Sequence, residues 1–447
     1  MNRRALLRSA AGAVAGRAFA QIPGERPARA SGVEVLNPRT RVPISMIIDD
    51  STCLVNLNHF SIPQFRVAWK NQKYEQDWRK MPVEIPDDFV RKFGDWCGEH
   101  GMRGKYSIVP YPACVGRLDR ELPGWAPEEV EASIRLVRER MTPNWDIHPE
   151  MVTHTRVIDL HTGHPYLARG LTYMENWDWT VGKSVDEISG YIAYALRILH
   201  NVDLPCEGIT TPGSFGNGAL PELTQAVLQA CRDVYRAEIP HYFRDEITEG
   251  EGSVAPRVEY AKGLGGSDPR CVVSIIACTR DWTGSWDATE EPQPDRFISA
   301  DLSKGRVVDV ISRGEPVCML AHWTGIHHNG TEAGFRALQE VVRRLHSRYD
   351  NLVWMKLSEL SRYWAAKELT RTQVNSSRVV FDAPFACPAF TVRVAGVKPG
   401  PVTVWRDGRA SELRRVSTPL QLESGTWTEA GTICFDLPRG RSEVVFG

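Results

Sequence analysis

Val42-Pro43-Ile44-Ser45-Met46-Ile47-Ile48-Asp49-Asp50-Ser51-Thr52 reads as a buried strand that stops abruptly at two adjacent carboxylates. The run is too apolar for a solvated loop and too short for a free helix. In α/β proteins, chemistry gathers at the carboxyl ends of strands. Asp49 and Asp50 there could divide labour, one holding a metal and one taking a proton. The plainer alternative is a strand followed by an Asp-rich, capped turn.

The rest of the chain narrows the choice. A length of 447 residues allows a sizeable core and two or three domains, or one large barrel with an appendage. The net charge of -1, with no Lys/Arg-rich block after the N-terminus, argues against a nucleic-acid binder. No run approaches 18 apolar residues, so no membrane span is expected. Fourteen tryptophans, several close to His and Asp, suit stacking on sugar rings as well as core packing. Met1 to Ala20 resembles a twin-arginine signal peptide: Arg3-Arg4, a small-residue run from Ala10 to Gly16, and the Ala18-Phe19-Ala20 cleavage site. Export to the periplasm or the medium is the expectation. The ten cysteines form no C-x-x-C pattern, and only Cys387 with Cys434 is a candidate disulfide.

Residues 21–41, rich in Pro, Ala, Gly and Arg, read as a linker. Ser51 to Met81 reads as a long functional loop. From there strands and amphipathic helices alternate. Helices are expected from Pro86, from Pro127, from a Ser184/Glu187 capping box, and around Leu223 and Phe335. Strands are expected at Lys105–Val109, Met151–Leu160, Glu207–Thr210, Val234–Ile239, Cys271–Cys278, Pro316–Ala321 and Leu352–Met355, with a hairpin tip at His161-Thr162-Gly163. This order predicts an α/β fold, a distorted (β/α)7-8 barrel over residues 42–366. After about Thr370 only short strands separated by Gly, Pro and Ser remain, so residues 370–447 are expected to form a small all-β, sandwich-like domain.

Several polar residues follow apolar strands: Asp49-Asp50, His154, Thr211-Pro212, Asp281-Trp282 and His322-Trp323. If those strand ends meet on one rim, Asp and His with a position left for water suit Zn²⁺ or a similar divalent ion. The order of these motifs resembles the NodB-type polysaccharide deacetylases of the glycoside hydrolase/deacetylase superfamily. Ile48-Asp49-Asp50 is similar to the family's first motif. Glu150 to Thr155 resembles the second, Gly208 to Gly213 the third, Arg280-Asp281-Trp282 the fourth, and Leu320-Ala321-His322 the fifth.

The resemblance implies Asp49 as general base, His322 as general acid, and Asp50 and His154 as metal ligands. It places Thr211, Trp282 and Trp323 at the substrate. The family's second histidine is sought four residues after His154, where Ile158 stands. Asp159, one residue on, is the substitute ligand considered first. The arginine that steers the base in the third motif is also missing. A carbohydrate is the implied substrate, and removal of its acetyl groups the implied reaction.

Two other readings stay open. One is a carbohydrate-binding protein on the same scaffold with a degenerate metal site. The other is a glycosidase using paired carboxylates such as Asp49 and Glu150. His154 as an ordinary strand histidine, and His322 as a core histidine, are the bland alternatives at those positions. Trp177 and Trp179 fit a glycan contact or a half-buried loop equally well.

Overall fold

The computed structural model describes residues 24–28, 30–69, 71, 74–375, 377–396, 400–406 and 408–447. The expected signal peptide lies outside them. Strand β1 is Val33–Val35, and β2 is Val42–Asp49, all eight of whose residues are buried. A strand with both faces covered has no need of polar alternation, which explains its continuous apolar run. Helix α1 (Leu57–Ala68) follows, inside the stretch expected to be a loop. It is capped by the Asn56 side chain and carries Pro63 within it, and its aromatic-polar composition hid its period.

Next come α2 (Asp87–Glu99), β3 (Gly104–Ser107), α3 (Pro127–Leu136) and β4 (Trp145–His148). The hairpin β5 (Ile158–Asp159) and β6 (His164–Pro165) leads to α4 (Val185–Asn201), which opens with the Ser184/Glu187 capping box. Then follow β7 (Gly208–Thr210), α5 (Leu220–Tyr235), β8 (His241–Glu246), β9 (Arg257–Lys262) and β10 (Arg270–Ala277). Helix α6 (Arg306–Ser312), β11 (Val317–His322), α7 (Trp323–His327), α8 (Ala333–Arg348), β12 (Leu352–Trp354) and α9 (Leu357–Leu369) complete this part. Among the described residues, no helix is long and apolar enough to cross a membrane.

Two expectations shift here. The strand expected at Val234–Ile239 is the end of α5, closed by Arg236 in the left-handed region, and β8 begins only at His241. Residues 151–160, expected as one strand, form instead a tight loop after β4, which ends at His148, and only Ile158–Asp159 (β5) is extended in a ladder. Met151 and His154 have positive φ in that loop, which no regular strand tolerates.

The architecture is mixed α/β. One sheet runs β11-β2-β3-β4, with β12 also paired to β2, and a second runs β7-β8-β10-β9. All pairs in the first are parallel, as are β7-β8 and β8-β10. Backbone contacts join the two sheets at both margins. Glu150 bridges Thr210 in parallel beside β4 and β7, and Cys278 N–H donates to Cys318 O (2.7 Å) beside β10 and β11. At the first margin the buried rings of His148 and His241 meet, Nε2 to Nε2 at 3.0 Å. Gly208 passes so close that a Cβ there would lie 2.7 Å from both rings, which leaves room for glycine alone.

The later strands form two five-stranded sheets. These strands are β13 (Arg371–Asn375), β14 (Arg378–Ala383), β15 (Cys387–Val394), β16 (Val402–Arg406), β17 (Arg409–Glu412), β18 (Arg414–Arg415), β19 (Thr426–Trp427), β20 (Thr432–Leu437) and β21 (Gly440–Phe446). The sheet orders are β1-β15-β20-β19-β18 and β13-β14-β21-β16-β17. Residues 21–41, expected as linker, therefore supply a strand: β1 pairs antiparallel with Val392–Val394. Cys387 and Cys434 are both free and buried, not bridged. On the paired strands β15 and β20, Thr391 rather than Cys387 stands opposite Cys434.

Helix α9 knits the two parts together. Tyr363 donates its hydroxyl to Leu36 O (2.8 Å) and accepts from Thr391 N–H (3.2 Å). Leu360 and Trp364 share one apolar cluster with Ile47 and Phe243 on one side and Phe381, Phe390 and Phe435 on the other. Because that core is common, Phe390→Ala should cost roughly 3–5 kcal/mol. Urea unfolding followed by tryptophan fluorescence and by far-UV circular dichroism should show one coincident transition at lower denaturant. Two separated transitions would show that the halves unfold independently.

Candidate metal and acid–base site

Strand β2 delivers Asp49 and Asp50 to one rim of the sheet. Asp49 closes the strand, and Asp50 turns into the left-handed region at φ 61°. The turn sends the two carboxylates to different partners. A non-glycine residue held there is strained and needs its surroundings to hold it.

Asp50 meets His154 and Glu150. His154 Nε2 lies 2.8 Å from Asp50 Oδ1 and 3.4 Å from Glu150 Oε1, while Glu150 Oε2 accepts the Asp50 N–H at 2.8 Å. All three residues are buried, and one ligand atom from each lies within 4.8 Å of the others. Two carboxylates and one imidazole make a donor set for a divalent cation. Tetrahedral bonds of about 2.1 Å put ligand atoms about 3.5 Å apart. The Glu150–His154 separation already matches this, and the Asp50–His154 contact has only to open slightly. Among the described residues Nδ1 of His154 has no partner, and the ring's hydrogen bonding runs through Nε2 toward the two carboxylates. These residues fit a bound metal.

The electrostatics follow from burying this much charge. Burial disfavours ionised Glu150, but the His154 hydrogen bond and charge, Lys105 and the Asp50 N–H together bring it down to about 2. Burial also disfavours a protonated His154, yet the two carboxylates lift the imidazole well above its ordinary value.

Asp49 faces Lys105 instead. Lys105 lies on β3, opposite Ile47, and is fully buried. Its ammonium donates to Asp49 Oδ1, to Ser107 Oγ (2.7 Å) and to Ile48 O (3.1 Å), which uses all three of its hydrogens. Burial, with the charge of Glu150, pushes the Asp49 carboxyl up to about 7, against the opposing pull of Lys105 and His322.

On the other side of β2, parallel pairing with β11 sets His322 directly opposite Asp49. Asp281 Oδ2 accepts both the His322 N–H (2.9 Å) and its ring Nδ1–H (2.7 Å). Asp281 Oδ1 in turn accepts from the backbone and hydroxyl of Thr283. This fixes Nδ1 as a donor and leaves Nε2 as the ring's other proton site. Burial alone would lower His322, but the Asp281 hydrogen bond and the charges of Asp50, Asp281 and Asp49 raise it to about 10.

Asp49, Asp50, His154 and His322 therefore gather at one rim, and other residues expected there do not. Asp159 sits on the β5–β6 hairpin, where its carboxylate accepts the His161 N–H (2.9 Å), and Glu150 stands in the cluster in its place. The i,i+4 spacing to His154 is present, but the partner precedes the histidine. Trp323 is 1% exposed and packs on Phe89, Phe93 and Tyr106, and Trp282 is 3% exposed, so both are core residues rather than substrate contacts. Thr211 is buried beside β8, its N–H and hydroxyl both directed at Phe243 O. Other aromatic rings lie beside the metal-ligand cluster. Phe65 on α1 lies 6.5 Å from the His154 ring and packs edge-on with Trp177 and Trp286.

Three functional candidates escaped the sequence reading: Glu150 as ligand, Lys105 and Glu175. Lys105 had a signal, since a lysine and Ser107 share one face of a short strand that is otherwise apolar. Glu175 had none, because its partners are backbone groups and one distant tyrosine hydroxyl, Tyr191.

No family model and no curated protein matches the chain. Among solved structures it is similar to Puue allantoinase, with 11% identity and a TM-score of 0.35 over 74% of this chain and 92% of that one. It is similar to the 4-alpha-glucanotransferase of Thermococcus litoralis at 11% identity and a TM-score of 0.35, spanning 72% of this chain and 40% of that one. A glycoside hydrolase family 29 member from an unknown rumen bacterium matches at 11% identity and a TM-score of 0.31, over 94% and 75%.

In metal-free protein the His322 ring should stay protonated until about pH 10. Asp281→Asn should move its titration back toward the ordinary value of about 6.5, as read by ¹⁵N NMR of the imidazole. Since the folded value is the raised one, the pair's stabilisation is full below about pH 6.5 and fades as pH rises through about 10. An unchanged titration in the variant would remove Asp281 from this role.

Proposed function

We propose that this chain is an exported, metal-dependent hydrolase that removes acetyl groups from a carbohydrate. The observation that carries the reading is the buried Asp50–Glu150–His154 cluster, flanked by the Asp49–Lys105 pair across β2 and β3 and by the His322–Asp281 pair at the end of β11. In this reading the parallel sheet and the mixed sheet beside it close through their bridged margins into a deacetylase-type (β/α) barrel over residues 42–366. Residues 370–447 form an appended β-sandwich, and residues 1–20 are the export signal that directs the protein to the periplasm or the medium.

Asp50, Glu150 and His154 would hold a divalent ion such as Zn²⁺. Such an ion supplies Lewis-acid polarisation of the acetyl carbonyl and lowers the pKa of nearby water. The chain's own groups do the rest. Asp49 takes the proton of the attacking water, with Oδ1 tied to Lys105 so that Oδ2 faces the reaction. A carboxyl near 7 is well matched to that task at neutral pH. Lys105 stands on β3 in the steering role that an arginine from the third motif would otherwise fill. His322 donates a proton from Nε2 to the departing sugar oxygen or nitrogen, and Asp281 holds its tautomer. Glu150 is already engaged by Asp50 N–H and His154, which disfavours its use as a free glycosidase acid.

Protein purified without chelator and supplied with Zn²⁺ or Mn²⁺ should release acetate from N- or O-acetylated oligosaccharides. Asp49→Asn and His322→Ala should each lower kcat by about 10²- to 10⁴-fold. Lys105→Met should lower kcat too and cost about 3–5 kcal/mol of stability, because it strands a buried carboxylate. Absence of both bound metal and acetate would sink the proposal. Glycan binding without acetate release would instead identify a carbohydrate-binding protein.

A further inference from the structure

The loop that carries Glu150 and His154 is irregular and has no strand ladder of its own. Met151 and His154 are both left-handed, at φ 51° and 61°. Such a backbone holds its shape only when outside contacts over-determine it. One side chain supplies most of those contacts. Glu175 is completely buried, and its carboxylate accepts three successive backbone N–H groups. Val152 N–H donates to Oε1 (3.2 Å), Thr153 N–H to both oxygens (3.0 Å each), and His154 N–H to Oε2 (2.6 Å). Successive amides converging on one anion form an anion nest, here filled by the protein itself. The Tyr191 hydroxyl on α4 donates to the same carboxylate and accepts Ile158 N–H (3.0 Å). The backbone of Glu175 is fixed in turn, its N–H donating to Thr155 O (2.8 Å).

We infer that Glu175 is a positioning residue for metal binding: by clamping the amides of residues 152–154, it aims Glu150 and His154 at Asp50. The inference rests on the metal-site reading above. The hydrogen bonds of Glu175 to this loop go to backbone amides rather than to the ligand atoms, so its positioning effect passes through the loop backbone, with its charge also felt by His154. His154 is the sharpest point of this control. Among the described residues its ring Nδ1 has no partner, so apart from the Nε2 contacts to the two carboxylates its aim is set by the backbone that Glu175 holds. Groups that orient metal ligands from behind typically carry a 10- to 100-fold share of metal affinity.

The test measures Zn²⁺ and Mn²⁺ dissociation constants by competition with a chromogenic chelator on full-length protein, alongside melting temperature. Glu175→Gln keeps the shape but turns an amide NH₂ toward backbone donors. It should raise both constants about 10- to 100-fold. Val404→Ala, a buried change in the C-terminal sheet, is the stability control and should lower the melting temperature with unchanged metal affinity. Glu175→Gln within twofold of wild type would overturn the inference while leaving the metal site standing. A weakened affinity in Val404→Ala equal to that in Glu175→Gln would also overturn it, by showing a general effect of destabilisation. If Glu175→Gln does not fold, Tyr191→Phe carries the test, with an expected rise of a few-fold against none. Wild-type protein that binds neither ion would overturn this inference and the metal reading together.

Discussion

Lys105 is the constraint on which the site depends. A lysine without solvent contact is tolerable only if every ammonium hydrogen is bonded and a counter-charge lies beside it. The end of β2, through Asp49 and the Ile48 carbonyl, and Ser107 on β3 together meet both demands. Around this pair the other buried charges fall into a compensating order. Asp50 and Glu150 face His154, and Asp281 faces His322. Removing any one member leaves another uncompensated in a low-dielectric interior. The cluster is thus a coupled unit, and a cation entering it would displace positive charge already present on His154. Pre-existing compensation of this kind makes metal affinity steeply dependent on proton concentration.

What could be read from residues alone follows the physics of each signal. The β2 run, the Ser184/Glu187 cap, Pro127 opening α3 and the hairpin tip near Gly163 all rest on local chemistry, and they stand where expected. Asp49, Asp50, His154 and His322 were legible because strand ends in parallel sheets share a rim. The remainder was not local. Helix α1 was hidden because its buried stripe, Leu57, Asn58, Ser61, Ile62 and Phe65, mixes polar with apolar residues. Trp282 and Trp323 look like surface aromatics beside polar residues, yet the chain turns them inward. Glu150 was visible but was assigned a different chemistry, because its ligand role depends on a loop that reverses twice within a few residues. Glu175 acts on amides, which every residue possesses and no sequence pattern marks.

The parts of the chain depend on one another more than the change of texture near Thr370 suggests. Helix α9 packs on β8, β9 and β10 and also on β15, with Tyr363 bonding to Leu36 and Thr391. Ile47, one of the residues behind Asp49, belongs to the same apolar cluster as Phe390 and Phe435. The rim that carries the chemistry is therefore supported from beneath by strands that contribute no residue to it. In a marginally stable molecule, such shared packing couples the rigidity of the site to the integrity of the appended sheets.

The short strand β1 has a consequence for how the molecule comes into being. It pairs with Val392–Val394, and the Glu34–Arg393 ion pair across it joins residues 359 positions apart. During synthesis the ribosome releases Val33–Val35 long before its partner emerges. Until then this segment has no sheet to join, and β15 must later find a free edge for it. Loop-closure entropy makes so distant a pairing slow. Assembly of this sheet thus waits for the late strands, and β1 is among the last parts to be secured.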